Sequence, residues 1–189
     1  TSRGRFRTSC WSIWAGARYA VGYPRPPAAI LSLAAREYAT VQAAAAATFP
    51  RGGAVPPSAL DVDVAGHVDR FLGAQPRRNR VLIRLLLVLV EHATLLYPAP
   101  GPGGWRRFSA LRPEQQVGYL EGWRTSGSFA RRLVFTSLRA IVTMGYLGHP
   151  TVLASLGISP LEIEARPCAA DGLWPAIDAP AAAKEGRGR

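Results

Sequence analysis

Lysine is all but missing. Of 23 basic residues in a chain of 189, only Lys184 is a lysine, and the other 22 are arginines. Schiff-base chemistry in a folded region is therefore excluded, as is the phosphate-cradling P-loop, which requires a lysine. Cysteine is almost as scarce. Cys10 and Cys168 stand near opposite ends. Without CxxC spacing they make neither a metal nor a redox motif. Pairing with each other, bridging to a partner and remaining reduced all stay open. The three histidines, His67, His92 and His149, lack HExxH or HxxxH spacing. GxGxxG and GxSxG are absent too. Asp61 and Asp63, two residues apart, would face different ways on a helix and do not make a paired-carboxylate site. The chain reads as a non-enzyme, with no catalytic, cofactor-binding or metal-ligating residue.

Long apolar runs are also lacking. The best candidate for a membrane span is 81–97, and Arg84, Glu91 and His92 interrupt it. The N-terminal apolar run 10–17 is followed by Arg18 and has no convincing small-residue cleavage site, so no signal peptide is expected. Acidic residues number only 12, which leaves a net charge of +11. That charge is uneven. Residues 1–27 carry five arginines and no acid, residues 76–107 carry six arginines against Glu91, and residues 128–160 carry three arginines and no acid. Part of the arginine excess, with its companion alanine excess, matches the coding habit of a GC-rich genome. The rest suits an acidic protein partner, nucleic acid or an anionic lipid surface.

What is present is helix-forming sequence. At 48% hydrophobic, the chain is too apolar to be disordered throughout and long enough to bury a core without staples. Residues 28–48 contain neither glycine nor proline and are rich in alanine, which predicts a helix. Helices are also expected over 59–74, with Ser58 as a candidate cap, and over 77–97, 113–126 and 128–147, with a last turn at 150–156. In 77–97 the charges Arg80, Arg84 and Glu91 lie within about 40° on a helical wheel. The rest of its circumference is Leu, Val and Ile, so this helix is expected to be surrounded by protein at the centre of the fold. In 128–147 the residues Ser128, Arg132, Thr136, Arg139 and Thr143 share a polar stripe. No segment alternates with period two. The expected fold is all-α, a compact bundle of about five helices. Its expected organisation is a basic extended arm at 1–27, a helical domain at 28–157 and an irregular extended tail at 158–189.

Aromatics and arginines interleave at Arg5-Phe6-Arg7, Trp105-Arg106-Arg107-Phe108 and Trp123-Arg124. A stacking surface for nucleic acid is one reading. Packing of Trp105, Phe108, Tyr119 and Trp123 as core or interface residues is the favoured one, because Tyr119 and Trp123 are i,i+4 neighbours.

Two stretches carry a family pattern. They are RFSALRPEQQVGYLEGWRTS at 107–126 and RRLVFTSLRAIVTMGYLGHPTVLASLG at 131–157. With Val68-Asp69-Arg70-Phe71-Leu72 and the Leu-rich helix upstream, roughly 35–157 resembles gluconate 2-dehydrogenase subunit 3. That family includes the gamma subunit of FAD-dependent glucose dehydrogenase. The likeness is carried mostly by packing residues. Two departures stand out: Arg112 occupies a position where the family commonly has a capping Ser or Thr, and no twin-arginine export signal is present. The resemblance implies a non-catalytic small subunit of a heteromeric complex. Its partner would be a GMC-type (glucose–methanol–choline) catalytic subunit that holds FAD, and any membrane association would come through that complex. The interface is expected at Arg3, Arg5, Arg7, Trp11 and Trp14 of the arm, at Arg131 and Arg132, and at Trp174 of the tail. The alternative is a basic helical protein that binds nucleic acid or a membrane surface.

Overall fold

Alanine sets the centre of the fold. The computed structural model describes residues 22–158, and its first helix, α1 (Ala35–Thr48), is half alanine. Then come α2 (Val64–Ala74), α3 (Arg77–His92), α4 (Pro113–Arg124), α5 (Phe129–Leu147) and the short α6 (Pro150–Ser155). Single 3-10 turns sit at Ala93–Leu95 and Phe108–Ala110. No strand occurs among the described residues. The described chain is thus an all-α bundle, as the missing period-two pattern implies.

α1 packs against α2, α3, α4 and α5. Small side chains make this crowding feasible: Val41, Ala44 and Ala45 are fully buried at the helix's contact faces. A second close crossing joins α2 to α5. A Cβ on Gly145 would lie 3.1 Å from Val64 Cγ1 and 3.3 Å from its carbonyl oxygen.

Several helix ends differ from the sequence expectation for identifiable reasons. α1 begins at Ala35 and not at residue 28, because the backbone before it has other partners. The Asp69 carboxylate accepts from the N–H groups of Leu31, Ser32 and Leu33 at 3.1, 2.7 and 2.7 Å. Three donors satisfied this way have no need of a helix. Glu37 Oε2 then accepts from the Ala34 N–H at 2.8 Å and starts the helix. α2 begins at Val64, with Asp63 as its cap (Oδ1 accepts from the Gly66 N–H at 2.9 Å). Ser58 instead donates its hydroxyl to Asp61 at 2.6 Å, in the turn before. α4 starts on Pro113, where a missing N–H is harmless, and Gln115 Oε1 accepts from the Arg112 N–H at 3.3 Å. The His149 side chain caps α6 by accepting from the Thr151 N–H at 3.3 Å. Gly157, at φ +69°, stands just past that helix.

The largest correction concerns α3. It ends at His92, with a 3-10 turn after it, and it is not the surrounded helix that its composition implied. Leu87, Val90 and Glu91 are its only buried residues. Val81, Leu82, Leu85 and Leu89 are all exposed, Leu85 by 59%. The charged stripe of Arg84 and Glu91 turns inward and the leucines turn outward. α1, not α3, is the central helix.

Candidate functional site

The inward stripe of α3 forms a polar frame with α1. The Arg84 guanidinium reaches Glu37 Oε1 at 3.3 Å and donates to the Ser32 carbonyl at 2.5 Å. Glu91, one helical stripe further, is 1% exposed. It accepts from Thr40 Oγ1 at 3.1 Å, from the Ser109 N–H at 3.0 Å and from the Ser109 hydroxyl at 2.6 Å. Arg107 Nε lies 3.9 Å from its other oxygen. A buried charge is tolerable only with such partners. All three of these hydrogen bonds come from the fold itself, so Glu91 ties α1, α3 and the turn at Ser109 together.

An aromatic wedge closes the far end. Tyr97 meets Trp123 edge-on at 6.1 Å, Tyr119 lies 5.4 Å from Trp123, and Phe108 lies 5.5 Å from Tyr119. Phe108, Tyr119 and Trp123 are buried, whereas Trp105 is exposed. Burial pushes the Tyr119 phenol well above its ordinary value, against the nearby charge of Arg131, which pulls it down. Arg131 holds this wedge together. Its Cζ sits 4.3 Å from the Tyr97 ring centroid and 5.5 Å from that of Trp123, and it donates to the Gly122 carbonyl at 3.4 Å. Of the two interface residues expected on α5, Arg131 is therefore turned in as a brace. Arg132 is exposed and donates to the Ser126 carbonyl at 2.6 Å. Arg3, Arg5, Arg7, Trp11, Trp14 and Trp174 lie outside the described residues, as do Cys10 and Cys168.

The outward side of the same helices is apolar. A shallow groove of about 300 Å³ lies where α3, α5 and the end of α2 meet, lined by Leu82 and Ile83, by Ser137 and Ile141, and by Phe71 and Gln75. Arg131, early in α5, meets Tyr97 beyond the end of α3. The two helices hence run antiparallel. Stepping back from Ser137 in fours along α5 gives Leu133 and Phe129, exposed by 52% and 70%. Both helices also carry exposed arginines: Arg77, Arg78 and Arg80 open α3, and Arg132 and Arg139 lie on α5. The single acid in either helix is the buried Glu91. An exposed apolar row on helices of this charge has the anatomy of a docking surface. Sequence reasoning missed it. The wheel grouped Arg80, Arg84 and Glu91 correctly, but the pairing of Arg84 with Glu37 and of Glu91 with Ser109 decides which side faces water.

No cluster of three or more His, Cys, Asp or Glu suited to a metal ion occurs among the described residues. No described helix is long and apolar enough to cross a membrane. Compared with known proteins, the chain matches no family model, no curated protein and no solved structure.

Proposed function

We propose that this chain is a non-catalytic accessory subunit that docks through the outward face of α3 and α5 onto a larger, flavin-dependent oxidoreductase subunit of the GMC type. The observation that carries the reading is the row of solvent-facing leucines on α3, Leu82, Leu85 and Leu89, on a helix that opens with the exposed Arg77, Arg78 and Arg80. A helix that turns Glu91 inward and leaves Leu82, Leu85 and Leu89 exposed is suited to completion by another protein. Exposed arginine suits bidentate contacts to partner carboxylates. The oxidoreductase part of the reading is supported by the pattern at 107–126 and 131–157. In this reading FAD, the substrate and the reacting groups belong to the partner.

The test is co-expression of the full chain with the GMC-type flavoproteins of its own genome. A yellow complex that co-elutes with the wild-type chain, and is lost with Leu85→Gln/Leu89→Gln, is the expected outcome. A wild-type chain that elutes alone while the flavoprotein stays soluble and active overturns the proposal. Binding to DNA or anionic vesicles that disappears with the same double substitution would favour the alternative reading of the basic surface.

A further inference from the structure

The exposed stripe of α3 has a definite spacing. Leu82, Leu85 and Leu89 are separated by three and four residues, the a–d–a order of a coiled-coil seam. Val81 stands beside them, 48% exposed. Arg78, four residues before Leu82 and also exposed, opens the stripe. At about 100° per residue these five side chains fall within about 100° of the helix circumference. The fully buried Leu87 lies on the opposite side. From Arg78 to Leu89 the stripe is about 16 Å long, or about three turns.

Backbone chemistry narrows what can cover it. A helix face offers no free N–H or C=O. An extended segment laid on it would leave its own donors and acceptors unpaired. Its same-face side chains would also repeat every ~6.8 Å, against about 5.4 Å per turn of α3. A second helix satisfies its own backbone and shares the repeat, so its side chains fit between the leucines turn by turn. Charge narrows the choice further. Every exposed charge on α3 and α5 is an arginine, and the only acid in either helix, Glu91, is buried. The complement is acidic. A lipid surface suits the stripe less well, since Arg78 stands in line with the leucines and not on a flank, where an interfacial helix carries its basic residues.

We infer, resting on the docking role proposed for this face, that α3 receives an amphipathic helix of the partner subunit. That helix is at least about three turns long, to match the stripe. It carries apolar residues at three- and four-residue spacing, and a carboxylate at the end that meets Arg78.

Photo-crosslinking in the full chain tests this. Leu82, Leu85 and Leu89 are replaced, one at a time, by a benzophenone-bearing phenylalanine. Each variant is co-expressed with the GMC-type flavoproteins of the same genome. The three probes are expected to mark one segment of one flavoprotein, at positions three and four residues apart. Arg78→Glu is expected to lower the affinity of that complex at least about tenfold. Crosslinks two residues apart, or scattered over several segments, overturn the helical partner while leaving the accessory-subunit reading in place. A complex indifferent to Arg78→Glu does the same. Crosslinks to lipid or to a second copy of this chain, or no complex at all, overturn both.

Discussion

The Glu91 carboxylate and Ser109 hold each other twice, through the hydroxyl at 2.6 Å and through the backbone N–H at 3.0 Å. This ties α3 to the turn before α4 across 18 positions of sequence. Thr40 adds α1 to the same carboxylate. Glu91→Ala is expected to lower stability by about 1–3 kcal/mol, because it leaves the Ser109 N–H without its acceptor in a buried site. Glu91→Gln keeps an acceptor in place and should lose roughly half as much. Urea denaturation with an unchanged m-value checks both.

Two buried tyrosines should respond oppositely to loss of the hydroxyl. The Tyr146 hydroxyl donates to the carbonyls of Val55 and Pro57, and its ring stacks on Phe49 at 3.9 Å. The Tyr119 hydroxyl is buried without a hydrogen-bond partner. Tyr146→Phe is expected to cost about 1–2 kcal/mol, and Tyr119→Phe to be neutral or stabilising. Thermal melts of the two variants side by side decide it.

Alkali should weaken the fold through the same residues. Burial raises the Tyr119 phenol, and burial with the Glu91 charge raises that of Tyr23 to about 12. An unfolded tyrosine ionises near 10. The stabilisation is therefore complete below pH ~10 and is lost as pH rises from there through the folded values. Phenolate absorbance that lags behind that of the urea-unfolded chain, followed by a cooperative loss of helix, is the expected titration. Tyr119→Phe should shift that loss to higher pH.

Glycine provides a matched pair. In α4, a Cβ on Gly122 would meet nothing within 4 Å, so Gly122→Ala should gain about 0.5–1 kcal/mol from helix propensity. In α5, a Cβ on Gly145 would press on Val64 at 3.1 Å and on the His67 ring at 3.4 Å. Gly145→Ala should lose about 1–3 kcal/mol by overpacking. Chemical denaturation of both variants reads the sign directly.

The class of the fold was legible because it rests on local signals. The alanine run, Pro113, Gly127 and Gly157 each act within a few residues, and each predicted helix has a counterpart, though several ends are shifted. What escaped was decided at long range. The early start expected for α1 fails on Asp69, 36 to 38 positions away from the backbone it holds. The orientation of α3 fails on Glu37 and Ser109, which no periodicity in 77–92 can reveal. Charge ordinarily marks the wet side of a helix. Here the inward charges are matched one by one, which removes the penalty that makes that rule work. Of the expected interface residues that lie among the described ones, Arg132 is exposed and Arg131 is turned inward. Arg131 looks solvent-facing in sequence, and only the proximity of Tyr97 and Trp123 turns it inward.

Asp69 has one more effect, on the timing of solvent access. The amides of Leu31, Ser32 and Leu33 belong to no helix, yet their protons are held by a side chain on α2. They can meet solvent only when that side chain lets go. In hydrogen exchange this irregular strand of backbone should therefore keep pace with α2, not with the loops it resembles. Thirty-odd residues of sequence separate the two, but they should open as a single unit.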